Sequence, residues 1–164
     1  MIRKEDRGVL IYLLDILGKG FDFESREKTI LDVASGMREN NWNGASRVVL
    51  EVGNELVPES SKIKSQLIND LWAIAAEFGE EESLFEEIIG LLKKIDLAEI
   101  NPDAREVICY YGLCSLVLLG RTSEIPAYLT DYVYPNVSTS KLKLKITALL
   151  GNPRGYRPSD LLIA

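Results

Sequence analysis

The side chains that most often carry enzyme chemistry are sparse in this chain of 164 residues, which contains two cysteines and no histidine. The lack of histidine excludes Ser-His and Cys-His nucleophile pairs and any histidine metal ligand. Cys109 and Cys114 are five residues apart, a spacing that places them on different sides of a helix. We interpret them as small buried residues in a reducing compartment. A redox or metal role is the alternative.

Carboxylates are the other groups that could do chemistry, and they cluster at Glu80, Glu81, Glu82, Glu86 and Glu87. Oxygen ligands of this kind can bind a divalent cation, but the spacing is not that of an EF-hand loop and no Glu-x-x-His pair exists. We interpret the cluster as the solvated start of a helix, where negative charge is favourable. The chain also has no Gly-rich phosphate loop, paired catalytic carboxylate motif or nucleophile elbow. We therefore predict no metal site, no cofactor and no catalytic activity.

The net charge of −6 is unevenly distributed, with −9 over residues 1–120 and +3 over residues 121–164. The acidic body argues against a general nucleic-acid binder, whose affinity comes largely from phosphate neutralisation. The basic end leaves a second hypothesis, nucleic-acid or anionic-ligand binding, through Lys141, Lys143, Lys145, Arg154 and Arg157. No apolar run reaches the roughly 20 residues of a membrane span. We expect a cytoplasmic protein without a membrane partner.

The elements that must position these residues are helices. Apolar residues recur at helical spacing along the chain and predict an all-α protein of about eight helices in antiparallel pairs. The first helix is predicted from about Lys4 to Leu17, and later ones start near Ser25, Ser61, Asn101 and Ser140. Asn101 to Gly120 carries cap signals at both ends and no charge between Val107 and Leu119, which predicts the buried centre of the domain.

Four further predictions concern single elements. Trp72 and Phe78 belong to a broad apolar stripe and are predicted to be core. Pro135 is predicted to end the helix that follows Thr122. The alternating Lys-Leu pattern from Lys141 to Ile146 is interpreted as helix rather than strand. The tail over 152–164 is either mobile or forms one short turn, and residues 1–151 form the single domain.

The interval between alternate helix starts is about 36 to 40 residues, the range of paired-helix repeats. Ile125-Pro126-Ala127-Tyr128-Leu129, which follows Leu119-Gly120, resembles the Ile-Pro-x-Leu helix start of HEAT repeats with one residue inserted. Trp42-Asn43-Gly44-Ala45 is similar to the aromatic-x-x-Ala junction of tetratricopeptide repeats. This resemblance implies an α-α superhelix whose second helices line a concave binding surface.

The leading functional hypothesis is therefore a non-catalytic scaffold that binds another protein. The residues expected to contact the partner are Arg47, Glu51, Glu87, Lys94, Tyr128, Tyr132 and the turn residue Trp42. An enzyme is the least favoured alternative, since only carboxylate or tyrosine chemistry is available. A self-associating module, and so a homodimer, is a further possibility because the ends of a short repeat array expose apolar surface.

Overall fold

The computed structural model describes residues 7–8, 10–12, 22–79 and 81–163. It is 79% helical, and no strand occurs among those residues, which confirms the all-α class. Of the first predicted helix, residues 7, 8 and 10–12 are helical and the others lie outside the described part. The helices that follow are α1 (Phe23–Glu39), α2 (Asn43–Leu56), α3 (Ser61–Phe78), α4 (Glu82–Leu92), α5 (Pro102–Leu118), α6 (Ile125–Tyr128), α7 (Tyr134–Asn136) and α8 (Ser140–Gly151). Single 3-10 turns occur at Leu97–Glu99, Thr122–Glu124 and Pro158–Leu161.

Helix α5 is the buried centre that the sequence predicted. The Asn101 side chain accepts a hydrogen bond from the backbone N–H of Ala104 at 2.8 Å, and Pro102 occupies the first turn. The run from Ile108 to Val117 is buried on every side. Gly120 has a φ of 69°, a left-handed conformation that glycine adopts without strain. Both predicted cap signals of this helix are confirmed.

The helices pack on one another largely in chain order. Each of α1 to α4 contacts the next helix along the chain, and contacts also join α1 to α3, α3 to α5 and α5 to α8. Trp72 in α3 is fully buried and stacks on Tyr111 of α5 with ring centroids 4.9 Å apart, so its prediction as core is confirmed. In the described part of the chain, no helix has both the length and the apolar character of a membrane span. The repeat family stays a prediction.

Two helix ends differ from the sequence prediction. Helix α1 is capped by Asp22, whose carboxylate accepts from the N–H of Ser25, so the helix begins at Phe23, two residues before the predicted start near Ser25. Pro135 does not end its helix, because the chain runs from α6 through a π segment (Leu129–Val133) into α7. The backbone N–H of Tyr134 donates to Leu129 O, five residues back, and this wider turn lets the chain accommodate a proline that lacks a donor.

The C-terminal segment packs against the helices and contains the predicted short turn. Pro158 and Leu161 are buried, and the indole N–H of Trp72 donates to Pro158 O at 3.2 Å. The backbone N–H of Ile163 donates to the Tyr111 hydroxyl at 3.3 Å. These two hydrogen bonds attach the segment to α3 and to α5. The stretch Lys141 to Ile146 lies within α8, so its interpretation as helix is confirmed.

Candidate functional site

A cleft of about 820 Å³ opens where the start of α2 meets the end of α3, and we call it the Arg47 cleft. Its walls include Ala45, Arg47, Glu51, Ile74, Phe78 and Glu81. Arg7, which precedes α1, also lines it and pairs with Glu55. The cleft therefore combines apolar walls with charged groups of both signs, a composition common in binding sites.

Three of the residues predicted to contact a partner come together at this cleft. Arg47 Nε donates to Glu51 Oε1 at 3.0 Å, and Arg47 Nη2 lies 3.5 Å from Glu87 Oε2 on α4. Burial raises the pKa of Glu87, the nearby carboxylate of Glu51 raises it further, and Arg47 opposes both effects. Two carboxylates thus share one guanidinium, and the cluster holds more negative charge than its single cation neutralises.

Phe78 lines this cleft, and its prediction as a core residue is wrong. The helical stripe of α3 predicts it to be core, yet its exposed fraction is 77%. It is the last residue of α3, where Gly79 turns the chain at a φ of 97° and no described element covers the ring. Helical spacing places Phe78 in line with the apolar stripe, but it does not show whether a neighbouring element reaches the last turn of the helix. An uncovered aromatic ring is typical of interface hot spots.

A buried polar network fixes α2 against α1 and α3 beneath the cleft. Arg38 donates to Asp70 Oδ1 at 2.9 Å and to Gln66 Oε1 at 2.7 Å. Ser46 Oγ donates to Asp70 Oδ2 at 2.6 Å. Asp70 and Ser46 are almost fully buried. No local sequence pattern predicts this cluster, because its members come from three helices far apart in the chain.

Tyr128 and Tyr132 line a second cleft of about 540 Å³ between α4, α5 and the π segment, which we call the Tyr132 cleft. Their rings stack with centroids 4.8 Å apart. Tyr128 is buried and its hydroxyl donates to Cys109 O at 2.6 Å, whereas Tyr132 is only half-buried. A molecule in this cleft would therefore meet Tyr132 before Tyr128.

The remaining residues predicted to contact a partner lie apart from these clefts. Trp42 is exposed by 61% at the start of α2, where its backbone C=O accepts from the N–H of Ser46. Lys94 is exposed just after α4, near Lys64 rather than near Arg47. Burial lowers the pKa of Lys64, and the positive charge of Lys94 lowers it further. The structure thus brings together Arg47, Glu51 and Glu87 and leaves Lys94 outside that group.

The basic residues of the second hypothesis do not line up on one face. In α8, the 100° step of a helix puts Lys141 and Lys145 on one side of the buried stripe and Lys143 on the other. Lys145 Nζ donates to Leu162 O at 3.1 Å. Arg154 is exposed beyond α8, and Arg157 lies beside Phe78 at the end of α3. No observation gathers these five side chains into one phosphate-binding patch.

The two cysteines are fully buried and are not bonded to each other. Burial raises the pKa of both thiols to about 12, so neither forms a thiolate readily. This agrees with their interpretation as packing residues. A reactive thiol would need exposure and a nearby cation to lower its pKa.

Comparison with known proteins finds no matching family model, no similar curated protein and no similar solved structure. The two clefts are therefore the features from which a function can be inferred. Two of the residues predicted to contact a partner line each cleft, and Glu87 joins those of the Arg47 cleft through its contact with Arg47.

Proposed function

We propose that this protein is a non-catalytic scaffold that binds a segment of another protein in the Arg47 cleft. The observation that carries the proposal is the exposed ring of Phe78 at the wall of a cleft of about 820 Å³. Contact between an aromatic ring of this size and water is unfavourable. A partner that covers the ring therefore gains about 2 kcal/mol of binding free energy. Aromatic anchors of this kind account for much of the binding energy of protein interfaces.

The charges around Phe78 define the chemistry of the partner segment. Glu51 and Glu87 share Arg47, and Glu81 is exposed at the rim. A Lys or Arg side chain of the partner would neutralise the excess negative charge and would oppose the raised pKa of Glu87. The expected segment therefore carries a large apolar residue beside one or two basic residues.

The arrangement of the helices supports a scaffold rather than an enzyme. Contacts that run from α1 to α3, from α3 to α5 and from α5 to α8 are those expected when helix pairs are stacked. Such stacking gives each pair an outer surface that other proteins can use. We place this binding activity in the cytoplasm. A dimer detected by light scattering would identify the partner as a second copy of the chain.

The test is a peptide-display selection on the full chain, followed by fluorescence anisotropy titrations of the selected peptides. Peptides enriched in one large apolar residue next to Lys or Arg are expected. Phe78→Ser should weaken their binding at least tenfold, because the apolar contact is lost. Glu51→Gln should weaken it about fivefold, and more at low salt than at high salt.

Tyr134→Ser is the matched control, because Tyr134 is an aromatic residue with a similar exposed fraction of 71% on a different helix. It should leave every dissociation constant unchanged. The proposal fails if the selection yields no such peptides, or if Phe78→Ser and Tyr134→Ser have the same effect. Capture from a native lysate with the wild-type chain and with Phe78→Ser would then name the partner, as the protein lost only in the variant.

A further inference from the structure

The Tyr132 cleft, which is separate from the Arg47 cleft, has the volume and the lining of a small-molecule site. Its floor is formed by apolar side chains of α4 and α5, namely Ile89, Leu92 and Leu116, all of which belong to the buried core. Its volume of about 540 Å³ lies within the range of ordinary ligand pockets. These three side chains are already covered within the protein, so the apolar surface open to a ligand is the ring of Tyr132 and the methyl group of Ala127.

The wall of the cleft is preformed rather than adaptable. Tyr128 is held by its hydrogen bond to Cys109 O, and it approaches α5 at Gly112, where a Cβ atom would lie 2.1 Å from the tyrosine hydroxyl. Tyr132 stacks on Tyr128 and stands on the π segment, which widens the helix at this position. Single π turns within helices occur frequently at functional sites. The stacked pair thus presents a fixed aromatic surface at the opening.

Two charged side chains at the rim have no direct hydrogen bond or ion pair in the described part of the chain. Among the described residues, neither the ammonium group of Lys93 nor the carboxylate of Asp131 has a hydrogen bond or ion-pair partner. The third charged group, Glu124, differs because both of its oxygens contact Arg121. The charge of Lys93 also lowers the pKa of Glu124. The rim therefore offers a ligand one cation that is only partly neutralised and, within the described chain, one anion without a direct partner.

We infer that the Tyr132 cleft binds a zwitterionic small molecule with a flat apolar body, of which an aromatic α-amino acid is the simplest example. The body contacts the ring of Tyr132 and the methyl group of Ala127. The ligand carboxylate pairs with Lys93, and its ammonium group pairs with Asp131. This site is independent of the Arg47 cleft, so its occupancy does not depend on the proposed protein partner.

The test uses three probes that share an indole ring and differ in their charged groups, measured by isothermal titration calorimetry with the full chain. L-Tryptophan carries both charges, tryptamine lacks the carboxylate and indole-3-propionate lacks the ammonium group. L-Tryptophan is expected to bind about tenfold more tightly than either of the others. Equal binding by all three probes, or none at millimolar concentration, would overturn the inference.

Two variants assign the charged contacts without disturbing the core, because both side chains are exposed. Lys93→Gln should weaken the binding of L-tryptophan and indole-3-propionate about tenfold and leave the binding of tryptamine unchanged. Asp131→Asn should weaken the binding of L-tryptophan and tryptamine and leave the binding of indole-3-propionate unchanged. Identical losses for all three probes in either variant would refute the pairing.

A third variant tests the location of the site. Ala127 lines the cleft from an exposed position, so Ala127→Phe should fill the space and abolish binding while the chain remains folded. Phe78→Ser, in the other cleft, should leave the affinity for L-tryptophan unchanged. Binding that survives Ala127→Phe would exclude this cleft as the site.

Discussion

The carboxylate of Glu106 in α5 is predicted to stabilise the fold by capping the start of α8. Its Oε1 accepts from the backbone N–H of Ser138 at 2.5 Å and from that of Thr139 at 2.8 Å. The Thr139 hydroxyl donates to Oε2 at 2.6 Å, and the Ser138 hydroxyl also donates to Oε1. Glu106 thereby satisfies N–H groups that precede α8 and attaches that helix to the central one. Glu106→Gln tests this role, because it keeps the shape and removes the charge.

These hydrogen bonds, that of the Thr139 hydroxyl first, lower the pKa of Glu106 from 4.5 to about 2. A tenfold change in proton affinity is worth about 1.4 kcal/mol, so the charged form contributes at most about 3.4 kcal/mol. Ser138 and Thr139 are exposed to water, which screens part of this electrostatic contribution. A glutamine at position 106 would also retain some of the hydrogen bonds. We therefore expect Glu106→Gln to lower the free energy of unfolding by about 2 kcal/mol at pH 7.

The pH dependence separates this charge effect from a simple loss of packing. Because the folded pKa is lowered, the stabilisation is complete above the unfolded value of 4.5 and is lost as the pH falls towards 2. Urea titrations followed by circular dichroism should show the difference between wild type and variant shrinking by more than half between pH 7 and pH 3. The exposed Glu77 provides the control Glu77→Gln, which should change little at either pH. A difference that stays constant with pH would refute the reasoning.

Two further substitutions test contacts that hold α5 and the C-terminal segment. Gly112→Ala should lower the free energy of unfolding by about 2 kcal/mol, because the new Cβ would lie 2.1 Å from the Tyr128 hydroxyl oxygen. Gly90→Ala, which meets no atom within 4 Å, should instead raise it by roughly 0.5 to 1 kcal/mol, and thermal unfolding distinguishes the two. Trp72→Phe should lower the free energy of unfolding by about 1 to 2 kcal/mol, because Pro158 O loses its hydrogen-bond donor. Hydrogen exchange at the C-terminal segment should rise in this variant, and unchanged protection there would contradict the contact.

The parts of the fold that sequence reasoning predicted are those encoded by neighbouring residues. Asn101, Pro102 and Gly120 mark the ends of α5 because cap geometry depends on a few consecutive positions. The alternating Lys-Leu stretch was resolved as helix by propensity and by the absence of a partner strand. Trp72 was placed in the core by helical spacing alone. In each case the deciding information lies within a few turns of one helix.

The candidate site was predicted only in part, because it depends on which helices become neighbours. Arg47 and Glu51 are four residues apart and share a helix face, so their pairing follows from spacing. Glu87 joins them from α4, and no local rule brings it there. Asp70 pairs with Arg38 across 32 positions in the chain for the same reason. A prediction of such contacts requires the packing order of the helices, which periodicity does not supply.

The Arg47 cleft also shows that small residues determine a binding surface as much as large ones do. Gly44 and Ala45 stand at the start of α2, on the wall that faces the end of α3. A Cβ on Gly44 would meet nothing within 4 Å, so this wall has room for a larger side chain. A larger side chain at Gly44 would therefore occupy part of the cleft. The open space beside Phe78 depends in part on two small residues, and no helical pattern in the sequence marks them as part of a site.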